Sequence, residues 1–163
     1  MNDTVLNWKQ ATPNQYTSRA YVLGRYIRTL RVRPSHVHFE LSLGGADAAS
    51  PAQSVELVYN REFGEMPPEF APNSEVAACG DYITSNAPAG RYEASPMGAI
   101  FHWVHYNPGN RDGGKHPHGF VWVGGKLFGQ ERGAPRERGP SRGRSLMEWL
   151  SPLLPEFIPE TAH

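Results

Sequence analysis

The sequence predicts an all-β fold, and three observations carry that prediction. Glycine and proline are abundant, 17 and 15 of 163 residues, which favours many turns and short strands over long helices. Apolar and polar residues alternate with a period of two, most clearly from His36 to Leu43. Between residues 18 and 130 no stretch repeats at helical spacing. The length suits one domain with tails, enough to bury a core without disulfides or metals.

Taken in order, residues 1–17 are polar, lack periodicity and contain Pro13, so they read as an N-terminal arm whose Trp8 docks on the domain. A long first strand runs from about Arg19 to Arg33, with Gly24 in its middle where a bulge or bend lets a barrel strand curl. In the second strand Val37, Phe39, Leu41 and Leu43 form a core face, while His36, His38, Glu40 and Ser42 face solvent. Gly44 and Gly45 end that strand, and Ser54 to Tyr59 gives a third with Val55, Leu57 and Tyr59 in register.

The acidic, proline-rich stretch from Arg61 to Pro72 reads as a connector with one helical turn. Glu75 to Thr84 is a fourth strand and Met97 to His105 a fifth, and Phe120 to Phe128 forms a hairpin closed by Gly124-Gly125. Five to six curled strands with a connector between the third and fourth describe a small oligonucleotide/oligosaccharide-binding (OB)-like barrel over residues 18–130. A β-sandwich is the competing architecture.

The chain changes character after the barrel. Residues 131–144 are an Arg/Gly/Pro-rich linker of low complexity that buries no core, and such a segment is also suited to contact nucleic acid. Residues 145–163 begin with a capping-box pattern at Ser145 and Glu148, followed by Leu146, Met147, Trp149, Leu150, Leu153 and Leu154 at helical spacing. The expectation is a short C-terminal amphipathic helix and tail that packs on the barrel or joins two subunits as a homodimer.

Net charge is zero but unevenly placed: residues 1–33 carry six Lys/Arg against Asp3 alone, and residues 34–93 carry two Arg against nine acids. Thirteen of the sixteen basic residues are arginine, which suits two-pronged contacts to phosphate or carboxylate; a segregated surface without a polyanion partner is the alternative. The N-terminus has no basic region leading into an apolar stretch, and no window reaches the roughly 18 apolar residues of a membrane span. With a single cysteine, Cys79, in an apolar run, the expectation is an inert thiol in a soluble, cytoplasmic protein with no membrane partner.

Chemistry concentrates in one place. His102, His105, His116 and His118 fall within seventeen residues, four of the seven histidines of the chain. Imidazole is both a common metal ligand and the side chain that titrates near neutral pH, so the cluster suits a bound divalent metal or acid–base catalysis. In a regular strand His102 and His105 point to opposite faces. A strand ending near Val104, before the turn residues Asn107, Pro108 and Gly109, lets His105, Asn107, His116 and His118 line one loop. Structural, hydrogen-bonded histidines are the plain alternative. There is no Gly-x-Ser-x-Gly elbow, no P-loop, no dinucleotide fingerprint and no cysteine-type zinc site.

The run Ile100-Phe101-His102-Trp103-Val104-His105-Tyr106-Asn107-Pro108, then His116, Gly119-Phe120 and Gly125 to Gln130, resembles a small bacterial family, domain of unknown function 3465. Its members read I-H-W-T-H-H-D-P, then H-x-x-G-W, then G-x-x-Y-Q, and an earlier H-Q-x-F pattern is similar to His36-Val37-His38-Phe39. The family's later H-N is matched in part by Tyr59-Asn60. Tyr106 stands where the family has His, Asn107 where it has Asp, Phe120 for Trp and Tyr59 for His. The resemblance covers residues 19–130 and implies an OB-like barrel; it implies no activity.

The leading functional expectation is a nucleic-acid-binding OB-type domain whose histidine site cleaves phosphodiesters, with or without a divalent metal. In it His105 and His116 form the acid–base pair, His36 joins from the second strand, and Asn107 orients substrate. Arg111, Lys115 and His118 contact substrate, and Trp103, with Phe120 and Trp122, offers rings for base stacking. A metal, if bound, takes His102, His105, His116 and His118. The alternative is a non-catalytic ligand-binding or metal-binding barrel.

Overall fold

The computed structural model describes residues 1–45, 49–109 and 116–131. The chain divides into two units, Met1–Gly133 and Ala134–His163. The expected C-terminal helix with its dimer contact, and the Arg/Gly/Pro-rich linker beyond Glu131, lie outside the described residues.

The described residues of the first unit are mostly β: seven strands in one sheet and one short α-helix, which is N-terminal. Strand β1 (Thr17–Val32) is followed by β2 (His36–Ser42), β3 (Ser54–Asn60), β4 (Glu75–Thr84), β5 (Ala99–His102), β6 (Phe120–Val123) and β7 (Lys126–Phe128). Their order is β1-β2-β3-β5-β4-β6-β7, and β1 also pairs with β4, so five strands close into a ring with the β6–β7 hairpin on its margin.

Strand β1 makes the closure because it is long enough to serve two neighbours. Its first half pairs antiparallel with β4, from Thr17↔Ile83 to Arg25↔Glu75, and its second half with β2, from Arg25↔Ser42 to Val32↔Val37. The register slips twice, between Tyr26 and Arg28 and between Thr29 and Arg31, which bends the strand. Gly24, expected at a bulge, instead sits at a close approach: a Cβ there would collide with the Ser42 carbonyl and the Leu41 side chain.

Inside the ring, alternation does what the period predicts. Val22, Val37, Leu41, Val55, Leu57, Tyr59, Ala78, Tyr82, Phe101 and Val121 are all buried in one core. The outer face departs from expectation, since Glu40 and Ser42, expected in solvent, are buried, as is Glu56 on the neighbouring strand. A buried carboxylate needs partners, and these have them. Glu40 accepts from Arg28 Nε at 2.8 Å and Ser54 Oγ at 3.0 Å, and Glu56 pairs with His38 Nδ1 at 2.6 Å.

Residues 1–17 are not an irregular arm. A helix α1 (Asn2–Ala11) covers one end of the ring, with Val5 in the core and Trp8 packed against Tyr16 and Tyr82 at 5.9 and 5.5 Å between ring centroids. A ten-residue helix is marginal alone and is stabilised by packing, which a window of sequence does not display. The Asn2 amide locks it by bonding both backbone groups of Leu23, and Lys9 Nζ donates to the Ser54 carbonyl at 2.7 Å. Among the described residues no helix is long and apolar enough to cross a membrane.

Candidate functional site

Register places three polar side chains in a row on the outer face of the ring. Asp81 on β4 lies opposite Arg19 on β1 and opposite His102 on β5. Tyr82 points into the core, so its neighbour Asp81 points out. The Asp81 carboxylate is nonetheless buried: one oxygen takes Arg19 at 2.8 Å, and the other takes Nδ1 of His116 at 2.5 Å.

Strand β5 stops at His102, well short of the expected His105. Trp103 follows with φ of 54°, a left-handed conformation unusual for a bulky residue. That kink removes the constraint of alternation and turns the Trp103 ring flat onto His116, with centroids 4.2 Å apart and planes 8° from parallel. Trp103 also neighbours His105 at 5.4 Å and His102 at 5.6 Å.

Two further imidazoles are held in the same manner. His105 stacks on Phe63 of the 3₁₀ turn Arg61–Phe63 at 3.9 Å, and His118 stacks on Tyr106 at 4.5 Å. The segments carrying them are tied by backbone bonds, Gly119 N to His105 O at 2.8 Å and Tyr106 N to Gly129 O at 2.5 Å. Gly119 is required here, because a Cβ would strike the carbonyls of Trp103 and Cys79.

The Nδ1 partner of each ring fixes its tautomer. His116 donates from Nδ1 to a carboxylate and His105 from Nδ1 to the Tyr106 carbonyl at 2.7 Å, so each neutral ring presents a lone pair at Nε2. His118 is the reverse: its Nδ1 accepts from the Asn107 backbone N–H at 3.0 Å, which leaves the proton on Nε2. Exposure separates them further. His118 is exposed and the His116 side chain 35% exposed, whereas His105 is buried at 3%.

His102 and His36 stand 6.2 Å apart on neighbouring parts of the face. Burial, then repulsion from His105 and His36, pushes His102 down to about 4. Burial and the nearby His38 lower His36, and burial lowers His105 against the opposing pull of the Tyr106 carbonyl. Ser35 Oγ holds His36 Nδ1 at 2.8 Å. Burial pushes the Glu56 carboxyl up, but hydrogen bonds with His38 and Ser95 outweigh it and hold Glu56 below its ordinary value. An open groove of about 350 Å³, lined by Pro34, Ser35, Arg61, Glu62 and Glu65, borders this cluster through Ser35 and the turn bearing Phe63.

The residues expected at the site therefore do not meet at one point. His105 and His116 flank Trp103, while His36 reaches the group through His102. Among the described residues no hydrogen bond joins two imidazoles, and no group of three His, Cys, Asp or Glu side chains is placed to hold a metal ion, so His102, His105, His116 and His118 are not gathered as a ligand set. Both ends of the Asn107 amide are engaged, Nδ2 with the His116 carbonyl at 2.5 Å and Oδ1 with Gly109 N at 3.0 Å, so it positions the loop. Arg111 and Lys115 lie outside the described residues.

Asp81, Arg19 and Phe63 were absent from the sequence-derived site. The available signal was Asp81 itself, a charge inside the apolar strand from Val76 to Ile83, which demands a buried partner. The basic first strand is also less available than its composition suggests. Arg19, Arg25, Arg28 and Arg31 are ion-paired with Asp81, Glu75, Glu40 and Glu93.

Compared with family models, curated proteins and solved structures, the chain matches none.

Proposed function

We propose that this chain is a nucleic-acid-binding domain of the OB type whose outer-face histidine site cleaves phosphodiester bonds by general base catalysis. The strand order supports the OB reading, since a five-stranded ring closed by the first and fourth strands is the arrangement of such a barrel. One observation carries the catalytic reading: His116, part-exposed, donates Nδ1–H to the buried Asp81, whose other oxygen pairs with Arg19, and presents Nε2 as a proton acceptor.

His118 suits a different task. Its Nε2–H belongs to a ring whose Nδ1 already accepts a bond, so it acts as a neutral donor toward a phosphoryl oxygen. Asn107 positions His116 and His118 together, bonding the carbonyl of one and the ring of the other. His105, buried beneath Phe63, supports Trp103, and His102 and His36 extend the polar face towards the groove. Arg111 and Lys115 are assigned from the sequence as phosphate contacts.

The test is incubation of the protein with labelled single- and double-stranded DNA and RNA, with and without a chelator, beside His116→Ala. Cleavage lost in the variant is the expected result; neither cleavage nor salt-dependent binding under any condition overturns the reading. The stacking and hydrogen bonding that fix His105, His116 and His118, as structural histidines are fixed, favour a second reading, a non-catalytic binding module, in which His116→Ala alters affinity with no turnover to lose.

A further inference from the structure

Resting on that reading, we infer that the substrate is RNA and that its own 2′-hydroxyl is the nucleophile, the products being a 2′,3′-cyclic phosphate and a 5′-hydroxyl end. The inference comes from the division of labour among the three fixed imidazoles. His105 presents a lone pair but is buried; His118 is exposed but its tautomer makes it a donor; His116 is part-exposed and, among the described residues, its Nε2 has no hydrogen-bond partner. Of these three rings, one is thus a reachable base and one a donor.

That pairing suits chemistry in which the substrate supplies the nucleophile at fixed distance from the phosphorus. An attached hydroxyl gains the advantage of an intramolecular reaction, and the protein need only remove its proton and steady the phosphoryl oxygens. Water attack on DNA asks more, because the water must be held in line as well as deprotonated. The groove beside the cluster is polar, lined by Ser35, Arg61, Glu62 and Glu65, and suits the hydroxyl-rich backbone of RNA.

In the step itself, Nε2 of His116 takes the proton of the 2′-hydroxyl while Nδ1–H stays on the Asp81 carboxylate. The 2′-oxygen forms its bond to phosphorus and the P–O5′ bond breaks. The departing 5′-oxygen takes a proton from water, and protonated His116 returns its own to solvent, so no proton or electron is left over. His118 Nε2–H donates a hydrogen bond to a non-bridging oxygen throughout.

The experiment uses a labelled DNA oligonucleotide carrying one ribonucleotide, the same strand with 2′-O-methyl at that position, and an all-DNA strand. The intact protein, His116→Ala and Asp81→Asn are purified identically and checked for fold by near-UV circular dichroism. Expected is a single cut 3′ of the ribonucleotide, a cyclic phosphate end, at least 100-fold less cutting of the other two strands, and loss of the cut in His116→Ala. Cleavage of all three strands at similar rates overturns the RNA inference and leaves nuclease activity standing. No cleavage of any strand removes the RNA inference, and undiminished cleavage by a folded His116→Ala removes both it and the assignment of His116 as the base.

Discussion

Asp81 Oδ2 lies 2.5 Å from Nδ1 of His116 while its other oxygen carries Arg19 at 2.8 Å, so one buried carboxylate sets both the ring orientation and the tautomer of the exposed histidine. Asp81→Asn keeps the shape and changes the chemistry. The amide N–H favours donation to Nδ1, which moves the histidine proton to Nε2 and removes the base. Cleavage is expected to fall by about 10²–10³, within the range of general base catalysis, with a lower melting temperature from the unpaired Arg19. Initial rates and thermal melts on one preparation check this; an unchanged rate refutes the assignment.

His102 makes the fold sensitive to acid. Its pKa falls from 6.5 to about 4, with burial the main cause, so between those values the unfolded chain binds more protons than the folded one. Stability is complete above pH 6.5, declines as pH falls through that window, and has lost this contribution below pH 4, a change on the order of 3 kcal/mol. His105 and His36, also lowered, act in the same direction. Urea melts at pH 7.5 and 4.5 on the intact protein and His102→Asn check it, the variant giving the flatter dependence.

Gly119 is where two carbonyls crowd the chain. Gly119→Ala is expected to cost about 1–3 kcal/mol, as overpacking does, and to displace the bond between Gly119 N and His105 O. Because that bond joins the two halves of the histidine site, activity is expected to fall more than stability. Comparing specific activity with the melting midpoint separates the effects.

Trp8 closes the end of the ring against Tyr16 and Tyr82. Trp8→Ala is expected to destabilise by about 2 kcal/mol, below the ~3–5 kcal/mol of a fully buried ring because Trp8 is part-exposed. Tyr82 faces the core while its neighbour Asp81 faces outward to His116, so catalysis at 20 °C is expected to persist in the folded variant. Denaturant melts and rates measured together decide it.

Much of the sheet was legible in the sequence because period two is a local signal. The fourth strand, Glu75 to Thr84, has the expected bounds, and the alternation of Val37, Phe39 and Leu41 gave the core face of β2 correctly. The fifth strand did not follow, since Trp103 and Val104 are good strand formers by composition and only their neighbours impose the left-handed kink. The helix Asn2–Ala11 escaped for a related reason: its stabilising contacts come from β1 and β4. The histidine cluster was plain in the sequence. Its partners were not, for Asp81 is 35 residues from His116 and Arg19 is 62 from Asp81, and only the ring brings them together.

The double service of β1 has a thermodynamic consequence. One continuous strand completes the hydrogen bonding of β4 with its first half and of β2 with its second, so neither half of the ring retains its neighbours if the other opens. The described unit is therefore built to melt in one cooperative transition. Arg19 and Asp81 stand on two of the strands joined by that seam, so the candidate site disassembles in the same event that unfolds the chain.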